Sequence, residues 1–337
     1  MKYLITGGAG FIGSHLTDFL VKQGHEVHIV DDLSTGRFDN IAHHANNEAV
    51  TFVRGSILDI ALLQKEVEWC DQIFHLAAVV GVRLILERPV HTIETNVDGA
   101  QNVLKLASAY GKKVLIASTS EVYGKAMETS APIDRLKEDG DWTLGSTGKS
   151  RWAYACSKAM DEFLALAYHE ERGLPVVVAR FFNTVGPRQT AQYGMVIPNF
   201  VESAIAGEPI HVFGDGEQTR CFTAVADAVR GACNLMECDT AAGQVFNIGS
   251  DGEISMNQLA HRVKELSNST SQIVHVPYEE AYGPGFEDMR RRTPDISKLR
   301  DLIDYRPTYT TDDILKEVIQ YTRQRSGKVV RPERAVA

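Results

Sequence analysis

Short apolar runs alternate with amphipathic segments through the first half of this chain, and few architectures accommodate that rhythm. The runs at residues 2–6, 26–30, 51–54, 72–76, 113–118 and 176–180 have strand length and are rich in Val, Ile and Leu. Between them, residues 12–22, 60–68, 90–110 and 153–172 carry apolar positions at helical spacing. Parallel strands need crossover helices and are buried on both faces, so the pattern predicts βαβ units around a mostly parallel sheet. After Asn183 the rhythm changes, with Gly, Pro and polar residues clustered at 186–194 and 214–218. Helices are predicted at 196–206 and 225–237, and Phe246-Asn247-Ile248-Gly249 reads as a further buried strand end. A basic loop at 283–295, a closing helix at 311–324 and a frayed tail at 326–337 complete the chain. The expected α/β fold has a doubly wound domain over 1–182, to which 221–250 returns. A smaller C-terminal lobe occupies most of 183–325.

A chain of 337 residues with 44% hydrophobic content can bury a large core. Its net charge of −9 argues against non-specific nucleic-acid binding, which needs a basic surface. Cys70, Cys156, Cys221, Cys233 and Cys238 form an odd set without metal-ligand spacing. They read as reduced thiols, with no metal site and no disulfide framework. The N-terminal apolar run breaks at Gly7, and no later stretch is long and apolar enough to span a bilayer. The expectation is a soluble cytoplasmic protein.

Tyr3-Leu4-Ile5-Thr6-Gly7-Gly8-Ala9-Gly10-Phe11-Ile12-Gly13 reads as a strand, a glycine turn and a helix start. Gly8, Gly10 and Gly13 satisfy GxGxxG, and Gly7, Gly10 and Gly13 satisfy GxxGxxG. Absent side chains let the backbone approach a pyrophosphate, whose charge rests on the helix N-terminus. Asp31 ends the next strand about 20 residues on, the position that grips ribose hydroxyls. An acid there repels the 2′-phosphate of NADP, so NAD is the expected cofactor, with Arg37 the nearby cation that could reverse the preference. The fold is accordingly expected to be Rossmann-type.

Ser118-Thr119-Ser120-Glu121-Val122-Tyr123-Gly124 follows a buried strand, at the sheet edge where open α/β folds place ligands. Alone it reads equally well as a serine-rich turn. Tyr154 and Lys158 are four apart on a predicted helix and share one face. A phenol has a pKa of about 10. An adjacent ammonium and an oxidised nicotinamide both favour the phenolate, which could then accept a sugar hydroxyl's proton. YxxxK by itself is equally a surface pair on an amphipathic helix.

Taken in order, the glycine turn, Thr119-Ser120-Glu121 and YxxxK resemble the extended short-chain dehydrogenase/reductase family. The likeness is to its nucleotide-sugar epimerases, dehydratases and decarboxylases, and it covers residues 1–325. Asp31-Asp32-Leu33-Ser34-Thr35-Gly36, Phe74-His75-Leu76-Ala77-Ala78, Arg180-Phe181-Phe182-Asn183 and Gly214-Asp215-Gly216-Glu217-Gln218-Thr219-Arg220 belong to it. The resemblance implies that Thr119 bonds the reacting hydroxyl, Tyr154 is the acid/base and Lys158 holds the nicotinamide ribose. It implies NAD contacts from Gly7, Gly10, Phe11, Ile12, Gly13, Asp31, Asp32, Ser34, Thr35 and Gly36. Further contacts would come from Ser56, Ile57, Leu76, Ala77, Ala78, Asn96, Ser118, Phe181, Val185 and Arg188. Asn183 and Arg220 would meet the diphosphate, Val196, Phe200, Val212 and Phe213 the base, and Val80, Gly81 and Arg83 the sugar.

Such enzymes share transient oxidation at sugar C4 and then diverge. The dehydratases carry an aspartate where this chain has Ser120, which disfavours dehydration. The decarboxylases carry Thr-Ser-Glu, as at Thr119-Ser120-Glu121, and Arg292-Thr293-Pro294-Asp295-Ile296 resembles their arginine-bearing segment. Arg151-Trp152-Ala153-Tyr154-Ala155-Cys156-Ser157-Lys158 is similar to segments of UDP-apiose/UDP-xylose synthases and bacterial UDP-glucuronate decarboxylases. The apiose-forming enzymes have a cysteine at Ser120, so ring contraction is not expected. Ala78-Val79-Val80-Gly81-Val82-Arg83 departs from the decarboxylase substrate loop, leaving Arg83 either a carboxylate ligand or a solvent-facing charge. Glu121 is either catalytic or an orienter of Ser120; Arg292 either enters the site or contacts phosphate or solvent. Decarboxylation of UDP-glucuronate is the leading expectation. A UDP-sugar or UDP-uronate 4-epimerase is the alternative, and a non-catalytic NAD-sensing regulator would lack Tyr154 or Lys158. The long apolar segments 90–110 and 153–172 imply, by the same resemblance, a homodimer.

Overall fold

Strands buried on both faces need cover on both, and the chain supplies it by sending helices to opposite sides of one sheet. The computed structural model describes residues 1–80, 88–128, 133–149, 151–191, 194–282 and 289–328. It begins with β1 (Lys2–Thr6), α1 (Phe11–Lys22), β2 (Glu26–Asp31), β3 (Val50–Arg54), α2 (Ile60–Trp69) and β4 (Gln72–His75). There follow α3 (Pro89–Tyr110), β5 (Lys113–Thr119), α4 (Arg151–Arg172), β6 (Val176–Phe181) and β7 (Thr184–Val185). Next come α5 (Val196–Ala206), β8 (Ile210–Phe213), β9 (Thr219–Cys221), β10 (Thr223–Ala224), α6 (Val225–Glu237) and β11 (Gln244–Ile248). The chain closes through β12 (Glu253–Ser255), α7 (Met256–Leu266), β13 (Ile273–Val276), α8 (Tyr278–Tyr282), α9 (Ser297–Ile303) and α10 (Thr311–Lys328). Each segment read from periodicity lies within a residue or two of an observed element, the usual scatter at element ends, except that α10 runs a turn further.

The central sheet has seven strands in the order β11-β6-β5-β4-β1-β2-β3, every pairing parallel. This is the Rossmann-type α/β fold. Leu4 and Ile5, neighbours on β1, are both fully buried but belong to different cores. Leu4 packs with Leu63, Val103 and Val176 beneath α2, α3 and α4. Ile5 packs with Leu16, Val229 and Phe246 against α1 and α6. Burying each such side chain contributes about 1.5–3 kcal/mol.

A third core joins Ile197 and Val201 of α5, Leu259 and Val263 of α7, and Leu315 of α10. Its small sheets pair β8 with β13 and β9 with β12. A capping box between Ser255 and Gln258 starts α7, where β12 ends. Strand order reverses between β1 and β4, so the carboxyl ends of β1, β4 and β5 open onto one crevice. Among the described residues no helix is long and apolar enough to cross a membrane.

Candidate active site

The turn from β1 into α1 leaves no room for side chains. Gly7 has φ +74°, and a Cβ there would lie 2.7 Å from the Ala77 nitrogen. At Gly13 a Cβ would lie 2.3 Å from the Gly7 carbonyl oxygen. Gly10 precedes Phe11 and Ile12 and gives α1 no side-chain cap, so its first N–H groups are left for an anion. Asp31, only 8% exposed, ends β2 and accepts hydrogen bonds from Ala9 N at 3.0 Å and Leu33 N at 2.8 Å. Burial raises its pKa against the pull of those bonds. A Cβ on Gly36 would lie 2.8 Å from Asp31 Oδ1, so the loop closes onto this carboxylate. Asp32 accepts from Ser34 N at 2.8 Å, Thr35 is partly buried, and the Arg37 side chain is exposed. The backbone cradle, uncapped amides and strand-end acid fit NAD.

Other expected cofactor residues surround the same crevice. Ser56 and Ile57 follow β3, with Ile57 packed so closely that a Cβ on Gly99 would lie 2.2 Å from it. Leu76, Ala77 and Ala78 follow β4, the first two bonded to Thr6. Asn96 is buried, accepts from Val79 N at 2.7 Å and donates to Ser157 Oγ at 3.2 Å. It ties the loop after β4 to α4. Phe181 and Val185 are buried, while Arg188, at φ +70°, pairs with Asp18 at 2.6 Å. Val80 is partly buried; Gly81 and Arg83 lie outside the described residues.

At the end of β5, Thr119 accepts the Glu121 N–H at 3.2 Å, and its hydroxyl also bonds the Tyr154 phenol. Ser120 is buried directly beside it. Arg292 Nη1 pairs with Glu121, and its Nη2 donates to Asn183 Oδ1 at 2.6 Å. The Asn183 amide in turn donates to the Cys221 carbonyl at 3.0 Å. Thr119, Glu121, Tyr154, Asn183 and Arg292, far apart in sequence, therefore form one connected cluster.

The Tyr154 pKa is raised above its ordinary 10.0. Burial is the largest cause, and the Glu121 and Asp161 carboxylates add to it. Lys158 itself is bound to Asp161 at 2.6 Å. The residues expected to meet the base lie in the C-terminal lobe. Val196 and Phe213 are partly buried, but Phe200 and Val212 belong to the lobe's sealed core, Val212 with no exposed surface. Arg220 is also buried, its guanidinium donating to the Thr219 carbonyl at 2.7 Å.

The sequence profile of the GDP-mannose 4,6 dehydratase family matches residues 4–318. The chain belongs to that family. Within the GDP-mannose 4,6 dehydratase family, it is similar to the UDP-N-acetyl-alpha-D-glucosaminuronate decarboxylase of Bacillus cytotoxicus. They are 43% identical over 96% of this chain and 98% of that one. UDP-glucuronic acid decarboxylase 1 of Arabidopsis thaliana is 37% identical over 96% of this chain and 70% of its own length. Among solved structures, the UDP-glucuronic acid 4-epimerase of Bacillus cereus with UDP-glucuronic acid and NAD has a TM-score of 0.85. That pair is 30% identical, covering 96% of this chain and 99% of the epimerase. The chain is thus an NAD-dependent nucleotide-sugar-modifying enzyme.

Sequence reasoning missed several contacts that the fold brings together here. Ser118 donates to Glu162, which also receives Arg180 through Nε at 2.9 Å and Nη2 at 2.7 Å. Asn247 Nδ2 donates to the Leu136 and Asp295 carbonyls at 2.9 and 3.0 Å, tying the Arg292 segment to β11. Acids three and four residues after Lys158 were visible, but such acids on a helix are ordinarily solvated.

Proposed function

We propose that this enzyme oxidises C4 of a UDP-hexuronate and uses the resulting ketone to expel the C5 carboxyl group as CO₂. The observation that carries this reading is the Glu121–Arg292 pair, joined to Asn183 and set beside Thr119 and Tyr154. A guanidinium there can hold a sugar carboxylate. Both similar decarboxylases support it.

Tyr154, aligned by the Thr119 hydroxyl, takes the C4 hydroxyl proton. When bound, NAD supplies the acceptor for the C4 hydride. The C5 carboxylate is then β to a carbonyl, the bond from C5 to the carboxyl carbon breaks, and its electron pair forms the C4–C5 enolate as CO₂ leaves. Ser120 and Glu121 would return a proton to C5. Lys158 would hold the nicotinamide ribose, Asn183 and Arg220 the diphosphate.

Incubation with NAD and either UDP-glucuronate or its 2-acetamido counterpart tests the reading. Stoichiometric CO₂ and a lighter product are expected. An isomer of unchanged mass would establish a 4-epimerase, the reading favoured by the Bacillus cereus structure's likeness.

The same proposal divides the chain into an NAD-binding domain (1–182 with 221–250) and a substrate lobe. It includes a homodimer formed through α3 and α4, where Val90, Ile93, Met160 and Phe163 are exposed. Five unbonded cysteines favour a reducing compartment, the cytoplasm.

A further inference from the structure

Lys158 and Asp161 share a buried slot on α4. Nζ lies 2.6 Å from Asp161 Oδ2, and the two side chains are 3% and 0% exposed. Asp161 Oδ1 is buried with no hydrogen-bond partner. A carboxylate held there is costly without a cation, so each member fixes the other. Tyr154, Lys158 and Asp161 recur at helical spacing and lie along one face of α4.

The surrounding charges are few. Asp161 is faced by Lys158 and by Glu162, the latter neutralised by Arg180 of β6. Lys158 is also felt by His75 of β4. Tyr154 is faced by Glu121 after β5, by Arg292 and by Asp161. An ammonium locked against a carboxylate presents a dipole, whose field falls off faster than that of a free cation.

We propose that Asp161 is a positioning residue of the proton-transfer site: it anchors Lys158 and balances its charge in the free enzyme. The activation of Tyr154 is thereby left to the loaded site. The inference rests on Tyr154 being the acid/base group, and it concerns the free protein, so it does not depend on which sugar reacts.

The test is an ultraviolet tyrosinate titration of the ligand-free enzyme, with the Tyr154 signal isolated by subtracting the matching Tyr154→Phe variant. In Asp161→Asn, Lys158 loses its counter-charge, and the Tyr154 midpoint should fall by about one pH unit or more. That is about tenfold more phenolate at a given pH. In the double variant Lys158→Met/Asp161→Asn, the whole dipole is gone and the midpoint should stay near wild type. A melting scan confirms that each variant is folded. A midpoint unmoved in folded Asp161→Asn would overturn the proposal. So would a rise in the double variant of about one unit or more, since it would mean that Lys158 had acted as a free cation. Should Asp161→Asn not fold, the double variant decides alone. Absence of CO₂ release with an intact titration result would remove the decarboxylase reading and leave this one standing.

Discussion

Three consecutive arginines go to three different acids: Arg290 to Asp215, Arg291 to Glu253 and Arg292 to Glu121. The first two pairs are exposed and screened, contributing little. Only Arg292 is drawn into the crevice, its side chain 11% exposed. Replacing Arg292 by Met should therefore lower CO₂ release by about 10²–10³-fold, the scale of losing one oriented charge stabiliser. C4 oxidation draws on Thr119 and Tyr154, so NADH absorbance should still appear in a single turnover. Equal loss of both signals would count against the assigned role.

Between elements, the clasp that matters most is Thr6 Oγ1 to His75 Nδ1, 2.8 Å, which joins the ends of β1 and β4 under the crevice. Burial, aided by the Lys158 charge, drives the His75 pKa down from 6.5 to about 3. Across that window the unfolded chain binds a proton that the folded chain refuses. The stability is complete above 6.5 and falls as pH drops, by about 1.4 kcal/mol per pH unit once well below that value. Urea unfolding at ~pH 7 and ~pH 5 measures the slope, and His75→Gln should flatten it by one proton. These elements were legible in the sequence because burial on both faces leaves a continuous apolar run. Thr119, Tyr154 and the glycine turn were legible because strand ends and helical spacing fix their places. The Asp161, Glu162 and Asn247 contacts were not, because a buried acid or amide leaves no mark on periodicity; only its partner in space shows it is satisfied. The sealed positions of Phe200 and Val212 likewise follow from the lobe's packing, not from their apolar character.

At the scale of the molecule, α3 and α4 pack side by side and leave Val90, Ile93, Met160 and Phe163 facing outward. Cys156, Met160 and Phe163 continue one stripe of α4. If that stripe is the seam of a homodimer, Phe163→Glu should raise the dimer dissociation constant by at least ~100-fold, equivalent to about 2.7 kcal/mol. Sedimentation across a dilution series measures it, and an unchanged dimer would place the seam elsewhere.

The Asn247 clasp has a bearing on how the enzyme comes into being. Glu121 waits 171 residues for Arg292, which is secured only when Leu136 and Pro294 bridge beside Asn247. A chain that has emerged only as far as β11 contains every strand of the parallel sheet and the glycine turn. It still lacks Arg292, the cation that pairs with Glu121. The group assigned to the carboxylate thus comes from the last part of the chain to be made, and a half-made chain carries no complete decarboxylation site.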